Sequence, residues 1–237
     1  MAGIHSCLPS SYLVGESALV GITHGRPCRP PMGASPLHAR GLYKPEGEPS
    51  YLGIVSKTDR QHWDRRHSER GMAPLSESQP PPPPVFAHVE HLFPTKGNAL
   101  ELGCGRGRGA VWLASRGMNY WGVDVSPVGV ALARELTSLS SFSDRCRFDV
   151  VDLDDGLPEG PPVDLLFCYL FRNQRLDLSI IERVTPGGLL AVAVLSEVGL
   201  GPGEFRARPG ELRDAFGGLE ILDEGEGEGM AWILARR

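Results

Sequence analysis

Basic residues are in the minority. Lys and Arg number 24 against 29 Asp and Glu, a formal net charge of −5 at pH 7. No run of like cations is present, so the basic stripe of a nucleic-acid groove is missing and nucleic acid is not expected as a partner. Cysteine is scarce: Cys7, Cys28, Cys104, Cys146 and Cys168, an odd five with no C-x-x-C pair. That spacing suggests neither a zinc site nor a disulfide framework, and no metal site is expected. Apolar runs all fall short of the ~20 residues that cross a membrane. The N-terminus lacks the basic n-region and apolar core of a secretory signal. With Cys104 and Cys168 at expected strand ends, where free thiols need a reducing compartment, the expected location is cytoplasmic. The 237 residues leave room for one α/β domain and additional segments.

Residues 1–56 carry scattered Pro and Gly, as in Arg26-Pro27-Cys28-Arg29-Pro30-Pro31, and no sustained periodicity. They are read as a disordered extension, functional or produced by an upstream start in the gene model. Residues 57–237 are read as the folded domain. Within it, residues 57–95 hold N-terminal lid helices and a proline-rich linker, and residues 96–237 form the core. A charged, helix-compatible stretch begins at Lys57, with Thr58 or Asp59 as its cap. The run Pro80 to Pro84 must be extended, because each ring fixes φ and removes a donor. It reads as a rigid spacer or, in the alternative, as a proline-rich ligand. Val85, Val89, Leu92 and Phe93 then share one helical face.

From Ala99 a strand–helix alternation sets in. Strands are predicted at Ala99–Leu102, Tyr120–Val125, Cys146–Leu153, Val163–Leu170 and Leu189–Leu195. Helices are predicted through Trp112 and Leu113, and over Val128–Leu136, Leu176–Val184 and Glu211–Phe216. Leu219–Leu222 and Ala231–Ala235 are expected to pair as strands, turned by the Gly-Glu repeat around Gly225 to Gly229. This order implies a mostly parallel sheet with helices on both faces.

The chemistry concentrates at strand ends. Glu101-Leu102-Gly103-Cys104-Gly105-Arg106-Gly107 lies where the first strand turns into the first core helix. Glycines permit a tight turn there and close approach of a ligand to the backbone. Asp124 ends the second strand, 21 positions after Gly103, with Val125 beside it. A carboxylate at that point can accept both hydroxyls of a ribose; it can equally serve as a cap, as can Ser126. Gly105-x-Gly107-x-x-Ala110 also fits a dinucleotide fingerprint, so an NAD-type oxidoreductase stays open. Three features favour S-adenosylmethionine (SAM). Glu101 precedes the glycines, where it can engage the methionyl ammonium and would repel a pyrophosphate. Asp152 follows the third strand and can accept the adenine amino group, with Leu153 packing beside the ring. Pro186-Gly187-Gly188 introduces a late apolar strand.

This order of motifs resembles the class I SAM-dependent methyltransferases. Within them it is similar to the small tellurite-resistance and thiopurine-methyltransferase-like group. The similarity rests on Trp63-Asp64-Arg65-Arg66-His67, the loop from Glu101 to Arg108, Gly122-Val123-Asp124-Val125-Ser126-Pro127, Cys168-Tyr169-Leu170-Phe171-Arg172, and Arg208-Pro209-Gly210-Glu211-Leu212 with Phe216. It implies a Rossmann-like seven-stranded sheet whose last strand is antiparallel, with SAM at the carboxyl ends of the strands and the Trp63 helix folded over it. Cofactor contacts are then expected from Trp63, Glu101, Gly103, Cys104, Gly105, Gly107, Asp124, Val125, Asp152, Leu153 and Cys168. Phe171 stands where a His is often found, so an acid–base role at that position is not carried over.

Tyr169 and Arg172 are the candidate catalytic residues. Tyr169 should border the methyl or serve as a wall aromatic. Arg172 could hold an anionic acceptor or form a surface cation beside Asp177; Arg66 and His67 are further acceptor-side candidates. Trp63 could shield the sulfonium or merely anchor its helix. His67 and His88 read as solvated helical residues, Arg106 and Arg108 as decoration of the loop, and Cys104 as a small filler. The expected function is methyl transfer from SAM to a small-molecule acceptor, a thiol or other soft nucleophile. A non-catalytic SAM-binding protein is the remaining alternative. Sequence leaves the acceptor and the oligomeric state unknown.

Overall fold

The computed structural model describes residues 52–72 and 81–237, with side chains of the first helix described from Asp59 onward. Residues 1–51 of the extension expected to be disordered, and Pro80 of the proline run, therefore lie outside the described residues, while Pro84 of that run already opens a 3-10 helix. The helices are α1 (Leu52–Arg70), α2 (Arg108–Ser115), α3 (Pro127–Ser138), α4 (Asp177–Arg183), a kinked turn α5 (Glu197–Leu200) and α6 (Glu211–Phe216). The strands are β1 (Asn98–Leu102), β2 (Asn119–Asp124), β3 (Cys146–Val150), β4 (Val163–Tyr169), β5 (Val184–Ser196), β6 (Arg206–Ala207), β7 (Glu220–Gly227) and β8 (Met230–Arg236).

Seven strands form a path in the order β3-β2-β1-β4-β5-β8-β7, and the two-residue β6 pairs with β5 as an eighth. All pairings are parallel except those of β8, which runs antiparallel to both β5 and β7. The predicted Rossmann-like sheet with an antiparallel last strand is thus present, with one short strand more than expected.

Alternation along the strands sorts the core into two layers. Ala99, Leu165, Phe167, Ala191 and Ala193 face one way and pack with Trp112 and Leu113 of α2, Val130 and Ala133 of α3, and Phe86 and Phe93. Leu100, Leu102, Leu166, Leu190, Val192 and Val194 face the other way, against Ile180 of α4 and Leu212 and Phe216 of α6. Helices therefore cover both faces. The segment before β1 is a 3-10 helix, Pro84–Leu92, rather than the α-helix implied by its spacing. It is pinned to α2 by Glu90, whose carboxylate accepts from Trp112 Nε1 at 3.2 Å and Arg116 at 2.9 Å.

Three further expectations need correction. Helix α1 begins at Leu52, so residues 52–56 belong to it and neither Thr58 nor Asp59 is its cap. Its described anchorage lies further along: Asp64 accepts from Ser126 Oγ at 2.5 Å, while that hydroxyl accepts from Gly129 N at 3.0 Å as cap of α3. Strand β3 stops at Val150, because Asp152 starts a turn by accepting the Asp154 N–H at 3.1 Å. The Gly-Glu repeat supplies the turn only at its end, because Gly225 to Gly227 already belong to β7. Gly225 lies under the indole of Trp232 in β8, where a Cβ would come within 2.2 Å of the ring. The turn is Glu228-Gly229, both at positive φ (50° and 81°), as a two-residue hairpin requires. The acidic residues on β7 keep this edge strand charged.

The order places β1 and β4 side by side while their connections leave in opposite directions. A crevice opens at such a switch point, at the carboxyl ends of the strands. Glycine-loop, Asp124, Asp152 and Leu170 segments all emerge there.

Candidate active site

A cavity of about 540 Å3 occupies this crevice, within the range of small-molecule and cofactor sites. Strand ends build its floor: Gly103 and Gly105 after β1, Asp124 and Val125 after β2, Val151 to Asp154 after β3, and Leu170 to Arg175 after β4. Asp59, Trp63 and His67 of α1 and Phe205 from the α5–β6 connection complete the wall. Phe205 and Trp63 meet edge to face at 5.8 Å. Helix α1 thus lines the site, as the resemblance implied.

The loop after β1 takes its shape from Gly103 and Gly105, at φ of 71° and 50°. At Gly103 there is no room for a side chain, because a Cβ would sit 2.6 Å from the Cβ of Phe171. Asp124 is buried and its two oxygens are divided: Oδ2 accepts from Gly105 N and Oδ1 from Ser126 N, each at 2.8 Å. Burial raises its pKa above the ordinary carboxylate value, against the lowering effect of those two N–H groups. It therefore shapes the loop and faces the cavity at once. Both sequence readings of this residue, cap and ligand-facing carboxylate, describe part of its geometry.

Of the expected cofactor residues, Trp63, Gly103, Gly105, Asp124, Val125, Asp152 and Leu153 line the cavity, whereas Glu101, Cys104, Gly107 and Cys168 do not. Glu101 points into the protein. It accepts from Tyr120 Oη at 2.5 Å and lies so close to Gly109 that a Cβ there would fall 2.1 Å from Oε2. Burial raises its pKa to about 8, with the Tyr120 hydrogen bond opposing. It is therefore largely neutral at pH 7, and electrostatic repulsion of a pyrophosphate cannot be credited to it. The carboxylates that face the cavity are Asp59, Asp124, Asp152 and Asp154. Asp59 is raised by burial and then by Asp154. The Cys104 and Cys168 thiols are pushed up by burial, which keeps them protonated fillers.

Glu101 carries a pH signature. Its folded pKa of about 8 lies above the ordinary value of 4.5. Its contribution to stability is therefore complete below the unfolded pKa and is lost as pH rises through the folded one. Each unit between the two is worth about 1.4 kcal/mol. Glu101→Gln keeps an acceptor for Tyr120 but cannot ionise. Melting curves from about pH 5 to about pH 9 are expected to show a smaller alkaline loss of stability in the variant than in the wild type. Parallel curves would place the ionised carboxylate in a better-solvated setting than the structure shows.

The two catalytic candidates are placed differently. Tyr169 is absent from the cavity wall, and its ring stacks on Phe167 at 6.5 Å. Arg172 does line the cavity, but its guanidinium is engaged elsewhere. It meets Asp177 at 2.5 and 3.0 Å and Glu211 at 2.7 Å, over the ring of Phe216. The Asp177 partnership was foreseen; its burial and the second carboxylate were not. Arg66 lies over Trp63 at 5.4 Å, outside the cavity. Arg106 is more than decoration, since it donates to the Gly71 carbonyl at 2.7 Å and ties the end of α1 to the glycine loop. His88 is exposed beside Asp223, as expected of a surface histidine. His67 is the main reversal: it is only 7 % exposed, lines the cavity and stacks with Trp63 at 5.9 Å. Helical position alone could not show which face of α1 meets the sheet. Leu170 and Phe205, at φ of 62° and 58°, also line the cavity.

The described donor set fits an adenosyl cofactor. Carboxylates stand at the ends of β2 and β3, a glycine turn lies after β1, and a buried imidazole on the cavity wall has no hydrogen-bond partner among the described residues. Comparison with known proteins agrees. The methyltransferase domain family matches residues 99–188, from β1 into β5. The chain is 26% identical over 173 residues to a curated 2-heptyl-1-hydroxyquinolin-4(1H)-one methyltransferase of Mycobacteroides abscessus, covering 66% of this chain and 76% of that one. Among solved structures, magnesium protoporphyrin IX methyltransferase (ChlM) from Synechocystis with bound S-adenosylhomocysteine (SAH) shares the fold at TM-score 0.58 and 18% identity, over 78% of this chain and 99% of that one. TehB from Haemophilus influenzae shares it at TM-score 0.55 and 18% identity, over 74% and 67%. Residues 99–188 thus match a methyltransferase domain, and the chain has the fold of S-adenosylmethionine-dependent methyltransferases. Within that class the chain resembles the tellurite-resistance TehB group. Among the described residues no helix is long and apolar enough to cross a membrane.

Proposed function

We propose that the chain methylates a small-molecule acceptor, with SAM held across the strand ends by Gly103, Gly105, Asp124, Val125, Asp152 and Leu153 under a lid carrying Trp63. The carrying observation is Asp124: a buried carboxylate at the end of β2 that faces the cavity and is already oriented by two backbone N–H groups. Its unused lone pairs suit the ribose hydroxyls. Asp152 and Leu153 suit the adenine edge and face. Glu101 acts from behind, as support for the loop.

The cofactor supplies an activated methyl group, and the protein's part is to orient acceptor and cofactor and to exclude water. At the β4 end the wall runs from Leu170 to Arg175, and Leu170, Phe171 and Phe205 are its apolar part. These residues favour an apolar acceptor. Arg172 is saturated by two carboxylates and Tyr169 does not reach the wall, which supports a nucleophile that needs no strong base, such as a thiol or an acidic hydroxyl. The curated relative is named for a hydroxyquinolone, a small apolar molecule with one hydroxyl.

Calorimetry with SAM, SAH and NADH tests the cofactor assignment. SAM and SAH are expected to bind and NADH is not, because four carboxylates border the cavity and a pyrophosphate would face them. Tight NADH binding without SAM binding would sink the reading. SAH formation against a panel of thiols and hydroxylated heterocycles then identifies the acceptor.

A further inference from the structure

The imidazole of His67 is buried on the cavity wall and makes no hydrogen bond among the described residues. Its ring is wedged between the glycine loop and the start of α3. A Cβ at Gly129 would meet its Cδ2 at 2.9 Å, and one at Gly105 would meet its Cε1 at 3.4 Å. Trp63 stacks on it at 5.9 Å. Both ring nitrogens are buried and neither has a hydrogen-bond partner among the described residues. Buried polar atoms in folded proteins are paired in the great majority of cases, and an orphan calls for an explanation. A histidine kept here merely to fill space would be better replaced by an apolar ring.

We propose that His67 is a hydrogen-bonding ligand of the cofactor, and that the methionyl carboxylate supplies the partner that the free protein withholds. This rests on the SAM site described above. The carboxylate is the only anionic group of SAM, and the ring lies beside Gly105, on the loop side of the cavity rather than the Asp152 side. This end of α1 is held by Arg106 and Asp64 and not by the imidazole itself, so its nitrogens are left for the ligand.

The charged groups facing His67 are Asp124 from β2, Arg106 from the loop, and Arg70 and Asp64 from α1 itself; α3 offers it only Gly129 and its helix start. Burial is the largest influence and holds the free imidazole below its ordinary pKa, against the opposing effect of Asp124. A carboxylate arriving beside the ring favours the protonated form. Binding is therefore accompanied by proton uptake, and affinity rises as pH falls.

Titration of the full chain with SAH, in buffers of different ionisation enthalpy and at several pH values, tests this. Wild type is expected to take up a fraction of a proton on binding. His67→Phe keeps a ring under Trp63 and removes the orphan nitrogens. It is expected to lower SAH affinity about tenfold or more, to abolish the proton uptake, and to leave the free protein at least as stable as wild type. His67→Gln keeps a neutral polar group, so it should retain more affinity than Phe while also losing the uptake. Wild-type affinity or persistent proton uptake in His67→Phe would overturn the role of His67 and leave the SAM site standing. If His67→Phe does not fold, undiminished proton uptake in His67→Gln overturns it equally. Failure of the wild-type chain to bind SAH would overturn the site and this inference together.

Discussion

Arg172→Ala is expected to be among the most destabilising single substitutions around the cavity, costing about 3–5 kcal/mol. The side chain is 8 % exposed and sits between Asp177 and Glu211, the latter 6 % exposed. Burial alone would raise the Glu211 carboxyl. The Arg208 N–H, Gln174 and Arg172 together outweigh burial and hold its pKa below the ordinary value. Deleting the arginine leaves a carboxylate buried at the start of α6 with only the exposed Arg208, at 3.6 Å, as a cation, and α6 supplies Leu212 and Phe216 to the core. Urea unfolding should show the loss as a lower midpoint at unchanged slope. Removing Glu211 together with the arginine costs much less, since apolar replacements avoid the desolvation of two charges and the remaining Asp177 is the more exposed of the two carboxylates. Arg172→Met with Glu211→Leu should recover most of the loss. The depressed Glu211 pKa adds a pH test: its contribution is present above the ordinary carboxylate pKa and is lost as pH falls through the folded value. Arg172→Ala should therefore flatten the acid limb of the stability curve. An acceptor-binding arginine predicts the contrary pattern, with stability within about 1 kcal/mol of wild type and turnover lost.

The two networks around Asp124 and Arg172 differ in how far sequence reveals them. Strand ends are local in sequence. A buried apolar run followed by glycines or a carboxylate marks both the strand and the side of the sheet on which its next residues emerge. Gly103, Gly105, Asp124, Val125, Asp152 and Leu153 were legible for that reason, as were the strand positions and α6. Side-chain direction within a strand end was not. Glu101 alternates away from the crevice and meets Tyr120, a partner visible only once β1 and β2 are in register, Glu101 opposite Gly122. Phe205 arrives from the connection between α5 and β6, where no periodic pattern fixes its approach, and Glu211, at the start of α6, meets Arg172 only once that helix has docked. His67 was misjudged because α1 is charged along most of its length, which gives no apolar stripe to orient it. The Gly-Glu stretch marked the turn by composition but not that its first half is strand, where Trp232 on the neighbouring strand needs the space that Gly225 leaves.

Asp124→Ala is expected to act twice, on the fold and on the ligand. Folded without cofactor, Asp124 accepts two backbone N–H groups from buried surroundings, one fixing the glycine loop and one fixing the approach to α3. Alanine leaves both donors without that acceptor. An unsatisfied buried donor costs about 1–3 kcal/mol; because burial already raises the Asp124 pKa, part of this is recovered by no longer burying a carboxylate. A net loss of about 1–2 kcal/mol in the free protein follows from these opposing contributions. Ser126 still caps α3 through Gly129 N, so the helix survives. Affinity for SAM should fall further. Loss of charge-assisted bonds to two ribose hydroxyls is worth about 1.5–3 kcal/mol, or roughly ten- to more than hundredfold in Kd, and a loosened Gly105 adds to it. The two effects separate when urea unfolding of the free variant fixes its folded fraction and calorimetry gives affinity per folded molecule. Asp124→Asn refines the comparison. Its single carbonyl oxygen can satisfy only one of the two N–H groups, and its amide would face the other with a donor. It should therefore resemble alanine in stability, while its amide can still bond one ribose hydroxyl and keep part of the affinity. Should both variants bind SAM within about twofold of wild type, a difference of ~0.4 kcal/mol, Asp124 would be a loop brace only, and the ribose would have to lie elsewhere along the strand ends.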